Sequence, residues 1–261
     1  MLKLYEHPMS AFAMKVKMAL NEKGLEYEAL IPAGMMDGSA AGEFVAASPR
    51  AEIPALIDGD VEVFDSTIIL EYLDDKWPTP PMRPASPAER ARVRMIEDVM
   101  DTHYEPNNWG TMEVMRAKRA TGAQGDQMVA YARRNIEQLQ RWLDQQLGDR
   151  QWFNGEQFGW GDICVAPVLG RSTIGYGYPI ATPRLAAWFE RTRQRPSVVK
   201  VFDQLQAVLA NLPDFPALIA AGKVKRQYRD HRLEWMIAAG GLSVVQDGIA
   251  KGNIRFSRLP G

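Results

Sequence analysis

The chain is poor in the groups that most quickly place a protein. Its one cysteine, Cys164, cannot form an internal disulfide or a cysteine-based metal site, which excludes a secreted disulfide scaffold. Three histidines, His7, His103 and His231, lie far apart and show no metal-ligand spacing. No apolar run approaches the roughly 20 residues that span a bilayer. Neither sign of charge dominates: 31 basic and 32 acidic side chains leave a net charge of −1, no global reason to bind nucleic acid or an anionic membrane. Met1 to Tyr5 enters a strand-like pattern directly, so no export or transit peptide is expected. What is present, 46% hydrophobic and 24% charged residues over 261 positions, is a globular composition sufficient for one large domain or two smaller ones. A soluble, cytoplasmic protein without protein-thiol or metal chemistry is expected.

The first 80 or so residues differ in texture from the rest. Lys3, Leu4 and Tyr5 lead into a break at Pro8, Met9 and Ser10, then a helix on which Val16, Ala19 and Leu20 recur at helical spacing. Gly24 stops that helix and Leu25 to Ile31 read as a strand. A small-residue stretch from Gly34 to Gly42 is loop-like. Two apolar runs, Pro54 to Ile57 and Val61 to Phe64, flank Asp58, Gly59 and Asp60 as a hairpin, and Asp65 with Ser66 opens a further helix. The order β-α-β then β-β-α predicts a small mixed sheet with helices on it. Five prolines between Pro78 and Pro87 make a stiff linker. Beyond them the pattern is helical: Ala88 to about Arg116, Asp126 to Leu147, a helix after Phe158, Leu185 to Arg195, and Ser197 to Leu209.

Three positions carry chemistry. Ser10 sits at a helix mouth after a strand, where unpaired N–H groups and the helix dipole favour an anion, and its hydroxyl can donate to a bound thiolate. A plain N-cap serves the same residue, and its immediate surroundings favour that reading. Ile53 precedes Pro54; were that bond cis, a minority state, the Ile53 N–H and C=O would face outward to a peptide-like ligand. Asp65 and Ser66 open a helix, so they either cap it or hold a carboxylate and an ammonium.

Their joint order and spacing carry a resemblance. KLYEHPMSAFAMKVKMALNEKGLEYE followed by SPRAEIPALIDGDVEVFDSTIILEYLDDKWP resembles the thioredoxin-like domain of cytosolic glutathione transferases. FNGEQFGWGDICVAP is similar to that family's helix-capping segment, and WFERTRQRPSVVKVF to its late-helix pattern; the likeness covers about residues 2 to 206. It implies an α/β thioredoxin-like domain at 1–79, a Pro-rich linker at 80–87, and an all-α domain at 88–261 with a C-terminal extension from about 213. It further implies glutathione as co-substrate, no metal, a small-molecule electrophile as the other partner, and a homodimer that binds neither nucleic acid nor membrane. Ser10 matches the serine of serine-type classes that hydrogen-bonds the glutathione sulfur. Ile53, before a cis Pro54, matches the residue pairing with the cysteinyl backbone, and Asp65 with Ser66 the pair holding the γ-glutamyl end. Arg50 is a weaker match for the glycyl carboxylate contact. Tyr5 competes with Ser10 by class analogy, but its strand position favours a core role.

The chain also departs from the family. The capping serine or threonine is replaced by Gly159, with Asp162 three residues on and Phe158 and Ile163 placed as a hydrophobic staple. No cysteine stands beside Ser10, which disfavours thiol exchange through the protein, and Cys164 on an apolar helix reads as a buried structural thiol. For the electrophile, Met9, Phe12, Tyr104, Asn107, Trp109 and Met112 are the pocket candidates, although such stripes also build cores. A kink is expected at Tyr104, Glu105 and Pro106. The basic stretch KVKRQYRDHR, with acids interleaved, reads as a solvated face, and the apolar stretch from Trp235 to Ile249 is expected to fold back on the helical domain over the pocket. Gly175, Tyr176 and Gly177 follow no strand and form no dinucleotide loop. The expected activity is attack of a stabilised glutathione thiolate on a small apolar or aromatic electrophile, by conjugation or by ether or halide cleavage. The alternative is a non-catalytic binding protein on the same fold.

Overall fold

The computed structural model describes residues 1–228 and 230–260; Arg229 of the basic stretch lies outside them. Four strands form one sheet in the order β2-β1-β3-β4: β1 (Leu2–Tyr5), β2 (Tyr27–Leu30), β3 (Ala55–Asp58) and β4 (Val61–Phe64). β1 and β2 are parallel, joined across helix α1 (Ala11–Glu22), while β3 runs antiparallel to both β1 and β4. Gly24, at φ 64°, supplies the left-handed residue that ends α1. Gly59, at φ 61°, opens the two-residue turn between β3 and β4. Short helix α2 (Glu43–Ala47) covers one sheet face, and α1 with α3 (Ser66–Lys76) covers the other. This is the expected mixed-sheet domain, with β2 shorter at both ends than the apolar pattern suggests.

The remaining helices pack as a second layer. They are α4 (Pro87–Val99), α5 (Glu105–Met115), α6 (Gly122–Leu147), α7 (Trp160–Gly170), α8 (Pro183–Arg193) and α9 (Pro196–Ala210). Where one helix from 88 to 116 is expected, a π-helical turn at Met100–Tyr104 separates α4 from α5, just before Pro106. Pro106 has no N–H to continue the ladder, and the wider turn accommodates it. A second π-helical turn, Arg171–Gly175, follows α7, which holds Pro167. Asn108 bridges the two helices: its Nδ2 donates to the Val168 carbonyl at 2.8 Å and its Oδ1 accepts from Ser172 Oγ at 2.6 Å. No described helix is long and apolar enough to cross a membrane.

The α7 N-terminus shows how the missing cap hydroxyl is replaced. Asp162 reaches back to accept from Gly159 N at 3.1 Å, and also from Phe153 N and Trp188 Nε1, each at 2.8 Å. Phe158 and Ile163 are both buried, as a hydrophobic staple requires. The Asn154 side chain occupies the space a serine would need: a Cβ on Gly159 would lie 2.3 Å from Asn154 Nδ2 and 2.5 Å from the Met82 carbonyl oxygen. Asn154 Nδ2 and Trp160 N both donate to that carbonyl, at 3.1 and 2.8 Å, which ties α7 to the linker.

After α9 come α10 (Phe215–Ala220), α11 (His231–Ala238) and α12 (Leu242–Ala250). The expectation that Trp235 to Ile249 folds back on the helical domain is overturned. α11 has no buried residue and α12 only Gly248, while Leu233, Trp235, Ile237, Leu242, Val244 and Ile249 are exposed. The two helices pack on each other instead.

Gly159→Ser, which restores the hydroxyl expected at a helix N-cap, will destabilise the protein by about 1–3 kcal/mol because the site is already filled. Urea unfolding of the two proteins measures the sign.

Candidate active site

The sheet register assembles one edge. Leu30 of β2 pairs with Tyr5 of β1, Tyr5 with Ala55 of β3, and Ala55 with Phe64 of β4. The segments beyond that row therefore emerge together: 6–10 after β1, Ile53 and Pro54 before β3, and Asp65 and Ser66 after β4. Chain topology places Ser10, Ile53, Pro54, Asp65 and Ser66 at one end of the sheet although 56 positions separate the first from the last.

Ser10 is the N-cap of α1. Its Oγ accepts from Ala13 N at 3.2 Å, and its own N–H donates to the His7 carbonyl at 2.8 Å. A hydroxyl has one donor and two acceptor positions, so capping leaves the proton free to point outward. Met9 N donates to His7 Nδ1 at 3.2 Å, and burial together with the Lys17 cation holds the His7 pKa below its usual value. Both effects favour the neutral imidazole, whose Nδ1 accepts this bond.

The Ile53–Pro54 bond is cis, and the Ile53 side chain packs with Tyr5, Phe44 and Ala47 on the α2 side of the sheet. Asp65 caps α3 from a backbone at φ 75°, a strained geometry for a residue with a side chain, worth about 1–3 kcal/mol. Its Oδ1 accepts from Thr67 N at 2.9 Å and Ile68 N at 3.3 Å. Oδ2 lies 3.6 Å from Arg50 Nη2, and the Arg50 guanidinium also stacks 5.0 Å from the Phe64 ring centroid. Ser66 is buried. Tyr5 points elsewhere: its hydroxyl donates to Glu43 Oε2 at 2.7 Å, and burial with that carboxylate pushes its pKa up to about 12.

The helical layer reaches this edge through a buried ion cluster that the sequence does not announce. Lys15 of α1, fully buried, pairs with Asp101 of the π turn and lies 3.5 Å from Glu97 of α4. Glu97 accepts from Thr67 Oγ1 of α3 at 2.7 Å and from Trp160 Nε1 of α7 at 2.6 Å. Burial opposes ionisation of Glu97, but Lys15, these donors and Arg94 outweigh it and hold its pKa low. Asp101 goes the other way: burial, with help from the Glu97 and Asp65 carboxylates, lifts it to about 6 despite Lys15.

The six pocket candidates do not converge. Met9 packs partly buried against the main core, and Phe12 lies 5.4 Å below Lys15 Nζ, at the Ser10 edge. Tyr104 is fully buried and accepts from Gln140 Nε2 at 3.0 Å, so it is an interior residue that lines no open cleft. Asn107 faces α6, donating to the His103 carbonyl at 2.7 Å and accepting from Asn135 Nδ2 at 3.1 Å. Met112 is buried with Ala117 and Phe215. Trp109 meets Tyr228 edge-on at 5.3 Å, with the Arg226 guanidinium 5.5 Å from its ring. Among the described residues no cluster of metal-ligating side chains occurs.

A mixed four-stranded sheet with a cis-proline edge, joined to a helical layer, defines a thioredoxin-like domain fused to an all-α domain. The chain belongs to the glutathione S-transferase family: residues 4–81 match the family's N-terminal domain and residues 87–191 its C-terminal domain. It is 30% identical over 208 residues to glutathione S-transferase 3 of Zea mays, covering 76% of this chain and 92% of the maize protein. Among solved structures, a glutathione S-transferase from Rhodospirillum rubrum F11 superposes with a TM-score of 0.68 at 27% identity, over 77% of this chain and 91% of its own. A rice enzyme solved in complex with glutathione gives 0.66 at 29%, over 80% and 96%. The protein is a glutathione transferase, with glutathione as its co-substrate.

Cys164 takes no part in this chemistry. It is buried beside Glu97, and burial with that carboxylate pushes its thiol well above the usual range. A water-soluble thiol reagent at pH 7 to 8 will leave the native protein unmodified and label Cys164 stoichiometrically once it is unfolded, as followed by intact-mass measurement.

Proposed function

We propose that the protein binds glutathione along the sheet edge and stabilises its thiolate with the Ser10 hydroxyl for attack on a small apolar or aromatic electrophile. The observation that carries the reading is the position of Ser10: an N-cap whose acceptor lone pair is occupied by Ala13 N while its proton remains free. In the complex, that proton points at the sulfur, and the α1 N-terminus adds its positive end; each lowers the free energy of the thiolate. The Ile53 backbone pairs with the cysteinyl residue of glutathione. Asp65 Oδ2 accepts from the γ-glutamyl ammonium while Ser66 donates to its carboxylate, and Arg50 swings away from Asp65 to take the glycyl carboxylate at the far end of the tripeptide. Residues 1–79 then form the glutathione domain, 80–87 the linker, and 88–261 the domain that supplies the electrophile side.

Phe12, next to the Ser10 edge, and Trp109, under the 226–228 strip, are the candidates of the original six that fit an apolar electrophile site. Conjugation and glutathione-dependent ether or halide cleavage share this step, since each begins with the same thiolate attack. The protein acts as a homodimer.

Ser10→Ala is expected to lower kcat/KM about 100-fold against a panel of aryl halides, alkyl halides and aryl ethers, with glutathione affinity nearly unchanged and the bound thiol pKa raised. Thiolate ultraviolet absorbance against pH and steady-state kinetics give both quantities. Full activity in that variant removes the role from Ser10. Asp65→Ala is expected to raise KM for glutathione about 10-fold or more, through loss of the ammonium contact and of the α3 cap.

A further inference from the structure

The first strip of the C-terminal extension, residues 223–228, crosses from one domain to the other. Lys225 N donates to the Met36 carbonyl, in the loop after β2, at 2.8 Å, and the Val224 side chain is buried. The Arg226 guanidinium lies 5.5 Å from the centre of the Trp109 ring and pairs with Glu113 of α5. Tyr228 meets the same ring edge-on, and its hydroxyl accepts from Arg119 Nη2 at 3.5 Å. Trp109 itself is only half-buried, so its ring keeps an open side for a ligand.

The charge on this wall is unbalanced. Glu113, buried, takes Arg226 and also Arg119, whose Nε lies 3.2 Å from its Oε2. Arg116, one turn along α5, has no carboxylate partner among the described residues and donates through Nη2 to the Gly175 carbonyl at 3.2 Å. Three guanidinium groups therefore meet one carboxylate. The other charges nearby leave that excess in place: Arg171 and Glu105 are paired with each other at 2.8 Å, and Asp37, in the loop after β2, is balanced by Lys225. Two of the three guanidiniums also carry an unused donor. The Nε–H groups of Arg226 and Arg116 are buried, and among the described residues no atom accepts from either. A buried donor without an acceptor is costly, and more so when it is charged. A role for Arg226 confined to tying the strip to Glu113 leaves this donor and the surplus charge without a use. An aromatic ring bearing a carboxylate uses both: the ring lies on Trp109 and the carboxylate accepts from the guanidinium beside it.

We propose that Arg226 is a specificity-determining residue of the electrophile site and that the electrophile is an aromatic carboxylate, its ring against Trp109 and its carboxylate on the Arg226 guanidinium, with Arg116 adding positive charge. The inference rests on the transferase site proposed above and names its substrate class. The test compares two aryl chlorides of one shape, 4-chloro-3-nitrobenzoate and 4-chloro-3-nitrobenzamide. With either, the thiolate sulfur bonds the chlorine-bearing carbon and chloride leaves with the bonding pair, so the two differ in charge at the far end of the ring. With each kcat/KM divided by the uncatalysed rate with glutathione, the full-length protein is expected to favour the benzoate at least about 10-fold. Arg226→Met is expected to erase that preference by raising KM for the benzoate, and Arg226→Lys to keep part of it. Glu113→Gln removes the competing carboxylate at nearly constant shape and is expected to increase the preference about 3-fold or more. Calorimetry with the unreactive 3-nitrobenzoate and 3-nitrobenzamide reads the same contact without turnover, with the benzoate Kd expected to weaken about 10-fold in Arg226→Met and to tighten in Glu113→Gln. Equal preference for the two chlorides, a preference that Arg226→Met leaves intact, or Arg226→Met and Glu113→Gln shifting the preference in the same direction overturns the proposal, as does binding of neither nitro compound. A protein that turns over neither chloride, yet binds 3-nitrobenzoate through Arg226, overturns the thiolate role of Ser10 and leaves the carboxylate contact standing.

Discussion

Helix α1 is held by its charges, and the site depends on where they hold it. Lys15 reaches Asp101 and Glu97 in the helical layer, and Lys17 pairs with Glu6, in the loop after β1, at 3.1 Å. Glu22 pairs with Arg195 at the start of α9 at 2.7 Å, and Lys23 donates to Asp74 of α3 and to the carbonyls of Trp77 and Pro80 in the linker. Each charge is spent on a different neighbour, and most are taken out of water. Removing one partner of such a pair strands the other in a low-dielectric interior, a loss of about 3–5 kcal/mol, so the helix has little freedom to shift or rotate. Its N-terminus, with Ser10, points where these contacts direct it.

That constraint explains how two layers make one site. The sheet register brings the Ser10 loop, Ile53 and the Asp65 turn to a common edge through backbone geometry alone. Asp101, from the other layer, is placed beside that edge by Lys15, and its carboxyl is sensitive to Asp65. Glu97 closes the arrangement by binding α3 and α7 at once through Thr67 and Trp160. A hydroxyl that both caps the helix and keeps its proton free then needs no further group to orient it. The two readings of Ser10 open from the sequence are compatible, because capping and donation use different parts of one oxygen.

Much of the fold was legible because it rests on local signals: alternation in the strands, Gly24 and Gly59 at left-handed positions, Asp65 at a cap, prolines in the linker. The sheet edge was legible through the order and spacing of Ser10, Ile53–Pro54 and Asp65–Ser66. The ion cluster was not. Lysines such as Lys15 and Lys17 in AMKVKMALNEKG are ordinarily solvated, and only long-range packing, with a partner 86 positions away at Asp101, buries Lys15. Spacing alone also does not bring the electrophile candidates of the helical half together. Tyr104 belongs to the π turn, and Asn107, Trp109 and Met112 point in different directions around α5, so the four meet the core, α6, the extension and α10 in turn. Spacing along a helix gives direction only while the helix stays regular. The apolar hairpin lies off the helical domain because hydrophobicity alone does not say which surface a segment meets.

The separation of the extension into a docked strip and a free hairpin bears on how substrate choice is written in this chain. On the proposed reading, the glutathione side is built from backbone groups and caps that a given register fixes, so relatives with different side chains can share it. The facing side depends on side chains arriving from separate elements. Trp109 illustrates this: its position is shared between α5, which carries it, and the 225–228 strip, whose Tyr228 and Arg226 pack on it. The same strip bonds the loop after β2 through Met36, so it touches both domains within four residues. Replacing residues of that strip changes the wall against Trp109 without touching the sheet edge, whereas the hairpin beyond it contributes no side chain there. On the proposed reading, the part of the extension that can shape the electrophile site is therefore the short polar strip that packs on Trp109.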